Sequence, residues 1–214
     1  MTISAASLSN RVEGIVIGAS AGGVEVLSAL LPALQPGLRA PLFVVLHQPP
    51  GRRSVLTEIF RRKCALPVRE AEDKEPVEPG TVYFAPPNYH LLIERGPALA
   101  LSIDDLVQYS RPSIDVLFHS AAEVYGRGLL GILLTGWNED GASGLLAIRQ
   151  ARGITLVQDP ASAEAPVMPQ AAMRLCTPDF VLAPQAIAEM LRGLGTSAQD
   201  VPSAAPASPP TLSS

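Results

Sequence analysis

The sequence predicts an α/β fold: a three-layer α/β/α arrangement on a mostly parallel sheet, with one β-hairpin added. Two observations predict it. Short apolar runs of strand length alternate with segments whose apolar residues recur at helical spacing. The composition, 47% apolar and 17% charged over 214 residues, suits one well-buried domain.

The elements follow in order. Residues 12–17 read as a buried strand, and 24–34 as a helix with Val24, Leu27, Leu30, Leu31 and Leu34 on one side. Residues 42–46 form a second buried strand, stopped by Pro49 and Pro50. A helix over 52–63 turns Val55, Ile59 and Phe60 inward. Short strands 67–70 and 81–85 flank a charged loop, and 89–94 with 98–103 make a hairpin about Arg95-Gly96-Pro97. Pro112 suits the first turn of a helix running to Tyr125, with Ser110 as its cap. Strand 129–134, turn 135–141, helix 142–151 and strand 154–158 then repeat the opening pattern. Helix 165–175, strand 180–182 and helix 185–194 complete a domain spanning 12–194. Residues 1–11 read as a short tail, and the Ser/Ala/Pro-rich stretch 195–214 as a disordered one.

Composition narrows the function. A formal net charge of -4 provides no basic field, so nucleic acid is not the expected partner. Cys64 and Cys176 stand far apart in no metal-like spacing, and neither a metal nor a cofactor is expected. No signal peptide is evident, and the apolar runs are too short to span a bilayer. A cytoplasmic protein without membrane insertion is the expectation.

The chemistry concentrates at three predicted strand ends. Gly18-Ala19-Ser20-Ala21-Gly22 fits G-x-S-x-G, the pattern of a nucleophile elbow between strand and helix. The helix that follows aims free N–H groups and its positive end at an anion beside Ser20. His47 ends the second strand, and Asp140 lies in the turn after residues 129–134. A serine needs a base to take its proton, and the base needs a carboxylate to hold its tautomer. Ligands of open α/β sheets sit at that rim, so Ser20, His47 and Asp140 are the candidate triad. His90 begins the hairpin, His119 reads as a packed or capping residue, and Asp115 as an acid stabilised by its own helix. A dinucleotide site is disfavoured: Ser20 replaces the middle glycine of G-x-G-x-x-G, and His47 stands where an acid is needed.

These residues resemble a known family. Gly18-Ala19-Ser20-Ala21-Gly22-Gly23, His47 with Pro49-Pro50-Gly51, Ala71-Glu72-Asp73 and Tyr83-Phe84-Ala85-Pro86 look like the catalytic domain of the CheB chemotaxis protein-glutamate methylesterases. So do the stretch from Arg111-Pro112-Ser113 to His119-Ser120, and Leu134-Thr135-Gly136 through Asp140-Gly141-Ala142. The resemblance covers residues 12–194. It implies hydrolysis of γ-glutamyl methyl esters on the cytoplasmic region of chemoreceptors, often with deamidation of receptor glutamines. It assigns Ser20 as nucleophile, His47 as base and Asp140 as acid. It also implies an oxyanion pocket near Ala21 and Trp137. Where the family commonly carries Met-Gly-Asn, this chain has Trp137-Asn138-Glu139, so the indole is expected to narrow or reshape the pocket and Glu139 to disturb the charge near Asp140. Eleven residues precede the first strand, so the expectation is a stand-alone catalytic domain, open or controlled in trans by a receptor methyltransferase or a separate response regulator. Arg52 and Arg53 are candidates for docking an acidic receptor helix. A serine esterase of another substrate, or a non-catalytic receptor-binding module, also fits this chain.

Overall fold

The structure, a computed structural model, describes residues 8–48, 55–96 and 98–195. Arg52 and Arg53, Pro49 and Pro50, and residues 1–7 and 196–214 of the two tails lie outside the described residues.

The strands are β1 (Gly14–Ala19), β2 (Leu42–Leu46), β3 (Val68–Glu70), β4 (Val82–Phe84), β5 (His90–Glu94), β6 (Ala98–Ser102), β7 (Leu129–Leu133), β8 (Ile154–Gln158) and β9 (Phe180–Leu182). Seven form one sheet in the order β3-β4-β2-β1-β7-β8-β9, parallel throughout. β5 and β6 pair antiparallel as the expected hairpin. The helices are α1 (Gly23–Leu30), α2 (Leu56–Arg61), α3 (Ile114–Tyr125), α4 (Ala142–Gln150), α5 (Val167–Leu175) and α6 (Pro184–Leu194). None of the described helices is long and apolar enough to cross a membrane.

Alternation along the central strands divides the core between two faces, because successive strand side chains point to opposite sides. Ile15 and Ile17 pack with Leu27, Leu30, Phe60 and Leu191 on the side of α1, α2 and α6. Val16 packs with Phe43, Leu117, Phe118, Leu145 and Met168 on the side of α3, α4 and α5. A sheet covered on both faces needs apolar residues at every central position, and β1, β2, β7 and β8 are buried along their whole lengths.

Several local expectations are corrected. The helix over 24–34 ends at Leu30 and tightens into a 3₁₀ turn, Leu31–Ala33, where Pro32 has no N–H to continue the ladder. Val24 and Val55 are exposed rather than inward, Ile59 is half-buried, and Phe60 alone of its trio is fully buried, stacked on Phe84. α3 begins at Ile114, and its cap is Ser113, not Ser110. Ser110 instead closes a turn, exchanging backbone hydrogen bonds with Val107.

β1 lies between β2 and β7, and the chain leaves it toward β2 on one side before returning to β7 on the other. That reversal opens a crevice beyond the carboxyl ends of the central strands.

Candidate active site

Ser20, His47 and Asp140 leave the carboxyl ends of the three adjacent central strands, so the sheet order itself collects them. Ala19 pairs with Leu46 in parallel register, which sets Ser20 beside His47. The His47 N–H donates to the Ala19 carbonyl at 3.0 Å, and the Ser20 N–H to the Thr135 carbonyl at 2.9 Å. The turn after Ser20 is made by Gly22, whose φ of 75° is left-handed. Ser20 is not among the described non-glycine residues with positive φ, so it lacks the strained backbone expected of a nucleophile elbow.

Asp140 is fully buried and holds four donors. Its Oδ1 accepts from Ser113 Oγ at 2.8 Å and from the Asp115 N–H at 2.9 Å. Its Oδ2 accepts from the Ile114 N–H at 2.7 Å and faces His47 Nε2 at 2.9 Å. Two of the donors are backbone N–H groups that can do nothing else, and they lie in the first turn of α3. A carboxylate there also meets the positive end of the helix. With both oxygens accepting, Nε2 is the donating nitrogen, which leaves the lone pair of neutral His47 on Nδ1. The carboxylate thus sets the tautomer. Among the described residues, Asp140 is the hydrogen-bond partner of the His47 ring, and Ser20 Oγ makes no hydrogen bond.

Supporting groups that the sequence reading missed hold this arrangement. Ser113 caps α3 and donates to Asp140. Its own N–H is received by His90 Nδ1 at 3.1 Å, so buried His90 works behind the site and does not line a cleft. Thr135, also buried, donates from Oγ1 to the Ala21 carbonyl at 2.9 Å and accepts the Ala165 N–H at 2.9 Å. Gln158 Oε1 accepts the Thr135 N–H. Buried polar residues at strand ends are the available signal, but their partners are distant in sequence. Asp115 sits at the same helix start, where burial pushes its carboxyl up and the Asp140 charge adds to that, against the lowering effects of the Gly144 N–H and His119. His119 is exposed, not packed, with Nε2 3.2 Å from Ser143 Oγ.

The two pocket candidates are placed differently. Ala21 follows Ser20 directly, and its N–H donates to no described residue. Trp137 follows Gly136, at whose position a Cβ would come within 3.0 Å of the Ser20 Cβ. The Trp137 indole is 65% exposed, so it does not fill an enclosed pocket. Glu139 turns outward to Arg174 at 2.8 Å, which answers its charge away from Asp140. A cleft of about 190 Å³ opens beside His47, walled by Leu46, Pro87, Leu106, Tyr109 and Arg111 among others. Among the described residues no group of three His, Cys, Asp or Glu side chains is placed to hold a metal ion. Burial pushes the Cys64 and Cys176 thiols up, which disfavours both as nucleophiles.

The model of the CheB methylesterase family matches residues 15–191. A relative from Leptospira interrogans, provisionally named a protein-glutamate methylesterase/protein-glutamine glutaminase, is 44% identical over 178 residues, covering 83% of this chain and 92% of its own. The protein-glutamate methylesterase/protein-glutamine glutaminase of Escherichia coli is 40% identical over 178 residues, and this chain spans 50% of its length. The crystal structure of the Thermotoga maritima CheB methylesterase catalytic domain superposes with a TM-score of 0.82 at 33% identity, covering 86% of this chain and 98% of that one.

Proposed function

The chain belongs to the CheB methylesterase family, and on that premise we propose that it is a serine hydrolase that demethylates glutamate γ-methyl esters of chemoreceptors. It acts in the cytoplasm on the cytoplasmic region of those receptors and also deamidates their glutamines. The observation that carries the reading is the buried Asp140 carboxylate fixing His47 next to the turn that bears Ser20.

Ser20 Oγ attacks the ester carbonyl while its proton passes to His47 Nδ1, the nitrogen Asp140 leaves open. A change of Ser20 rotamer on substrate binding makes this contact, since catalytic hydrogen bonds commonly tighten only in the complex. The N–H groups of Ala21, next to Ser20 in the chain, and of Trp137 receive the oxyanion, an interaction worth about 2.7–4 kcal/mol per donor in such sites. The imidazolium returns its proton to the departing methoxide, and methanol leaves. Water then gives a proton to His47 and its oxygen to the acyl carbon, releasing free glutamate and restoring Ser20. With glutamine the first leaving group is ammonia.

Arg52 and Arg53 follow His47 by five and six residues in the sequence and serve to dock an acidic receptor helix. Replacement of both arginines by Glu then lowers kcat/KM on receptor at low salt. Methanol release from methylated receptor membranes, wild type against Ser20→Ala, tests the whole reading. Release by both proteins, or by neither, overturns it.

A second reading is favoured by the exposed Trp137 indole beside the site: an esterase of another substrate on the same framework. It predicts turnover of small esters without methanol release from receptor.

A further inference from the structure

The reaction proposed above turns a neutral side chain into an anion, and one unassigned acid stands where that difference is felt. A Cβ placed on Gly22 would meet the Glu164 Cβ at 2.8 Å and its Oε2 at 2.9 Å, so the Glu164 carboxylate lies on the turn two residues after Ser20. The position is fixed by backbone. The next residue, Ala165, is fully buried, gives its N–H to Thr135 Oγ1 and takes the Gly136 N–H on its carbonyl, both at 2.9 Å. Glu164 itself is exposed and forms no ion pair among the described residues.

Helix α1 starts at Gly23, and its positive end would otherwise draw an anion toward this turn. Glu164 places a negative charge on that spot and cancels the attraction. A methyl ester or a primary amide carries no charge and is little affected. The product carboxylate is repelled.

We infer that Glu164 is a specificity-determining residue, which makes the site prefer a neutral γ-ester or γ-amide over the free γ-carboxylate and thereby speeds product release. The inference rests on the hydrolase reading for its biological meaning, but its physical content is a difference in binding. The tetrahedral intermediate is also anionic, so Glu164 acts on it as well, and absolute rates do not isolate the effect.

The test uses two fluorescent peptides that differ only in carrying Glu or Gln at one position within an otherwise identical helical receptor-like sequence. Binding is measured by anisotropy to the full chain in the Ser20→Ala background, so that neither peptide is turned over, with and without Glu164→Gln. The expected result is tighter binding of the Gln peptide, with Glu164→Gln narrowing the ratio of dissociation constants by about two- to tenfold at low ionic strength. That narrowing fades in 0.5 M salt, at about a 4 Å screening length, which a merely structural role would not do. Glu164→Lys inverts the preference. An unchanged ratio, or a protein that binds neither peptide, overturns the inference. A Ser20 that resists fluorophosphonate labelling in the wild type overturns the hydrolase reading instead, while the peptide ratio still reports on Glu164.

Discussion

His47 Nε2 and Asp140 Oδ2 lie 2.9 Å apart, and the carboxylate oxygen they share also receives the N–H that opens helix α3. The acid that orients the base is therefore part of the scaffold. Asp140→Asn supplies an amide N–H2 on one side, where every neighbour is a donor. The expected outcome is a loss in kcat of about 10⁴, by analogy with the wrong-tautomer effect in other triads, together with about 1–3 kcal/mol of stability from mispaired buried donors. Ester kinetics and urea unfolding measure the two separately.

Ser20→Ala removes the nucleophile without touching the core, since Ser20 is only half-buried and its backbone N–H bond to Thr135 survives. The variant is expected to lose kcat by about 10⁶ if the three residues act as a unit. Its thermal midpoint stays that of the wild type.

Ser113 acts through Asp140, donating from Oγ at 2.8 Å while it caps α3. Ser113→Ala is expected to cost about 1 kcal/mol as a lost cap. It also lowers kcat by about 10- to 100-fold through a loosened carboxylate, with little change in KM. A loss of stability with kcat intact would restrict Ser113 to capping.

Asp115 has a folded-state pKa raised above the ordinary carboxyl value, chiefly by burial. The folded protein therefore holds this proton more tightly than the unfolded chain does. Its contribution to stability is present in full below the ordinary carboxyl pKa and is lost as pH rises through the raised folded value. Asp115→Asn keeps an oxygen for the Gly144 N–H, now received at 2.6 Å, and removes the titration. The stability difference between wild type and variant, measured by urea unfolding across the acid range, should shift in the variant's favour as pH rises through that window.

Trp137 is 65% exposed, so Trp137→Met should change stability by less than about 0.5 kcal/mol. Methylesterase activity is expected to be kept or raised. A large fall in kcat/KM on receptor, with small-ester turnover unchanged, would instead mark the indole as a contact for the protein substrate.

What the amino-acid sequence determined by itself is the succession of elements and the three strand ends that bear chemistry. Apolar runs such as Leu42–Leu46, and the glycines that turn the chain after Ser20, act within a few residues, so their meaning is local and readable. Helix starts are less legible. Ser110 and Ser113 both have the chemistry of a cap, and the choice fell to Ser113 because buried Asp140 and His90 sit beside it while Ser110 is held by Val107. Only the tertiary structure decided which nitrogen of His47 meets the carboxylate, that Glu139 turns to Arg174, and that Glu164 lies over Gly22. Each of these joins residues far apart in the chain, with 93 positions separating His47 from Asp140. Such pairings depend on strand order and register, which place side chains in space without leaving a pattern in the neighbouring sequence.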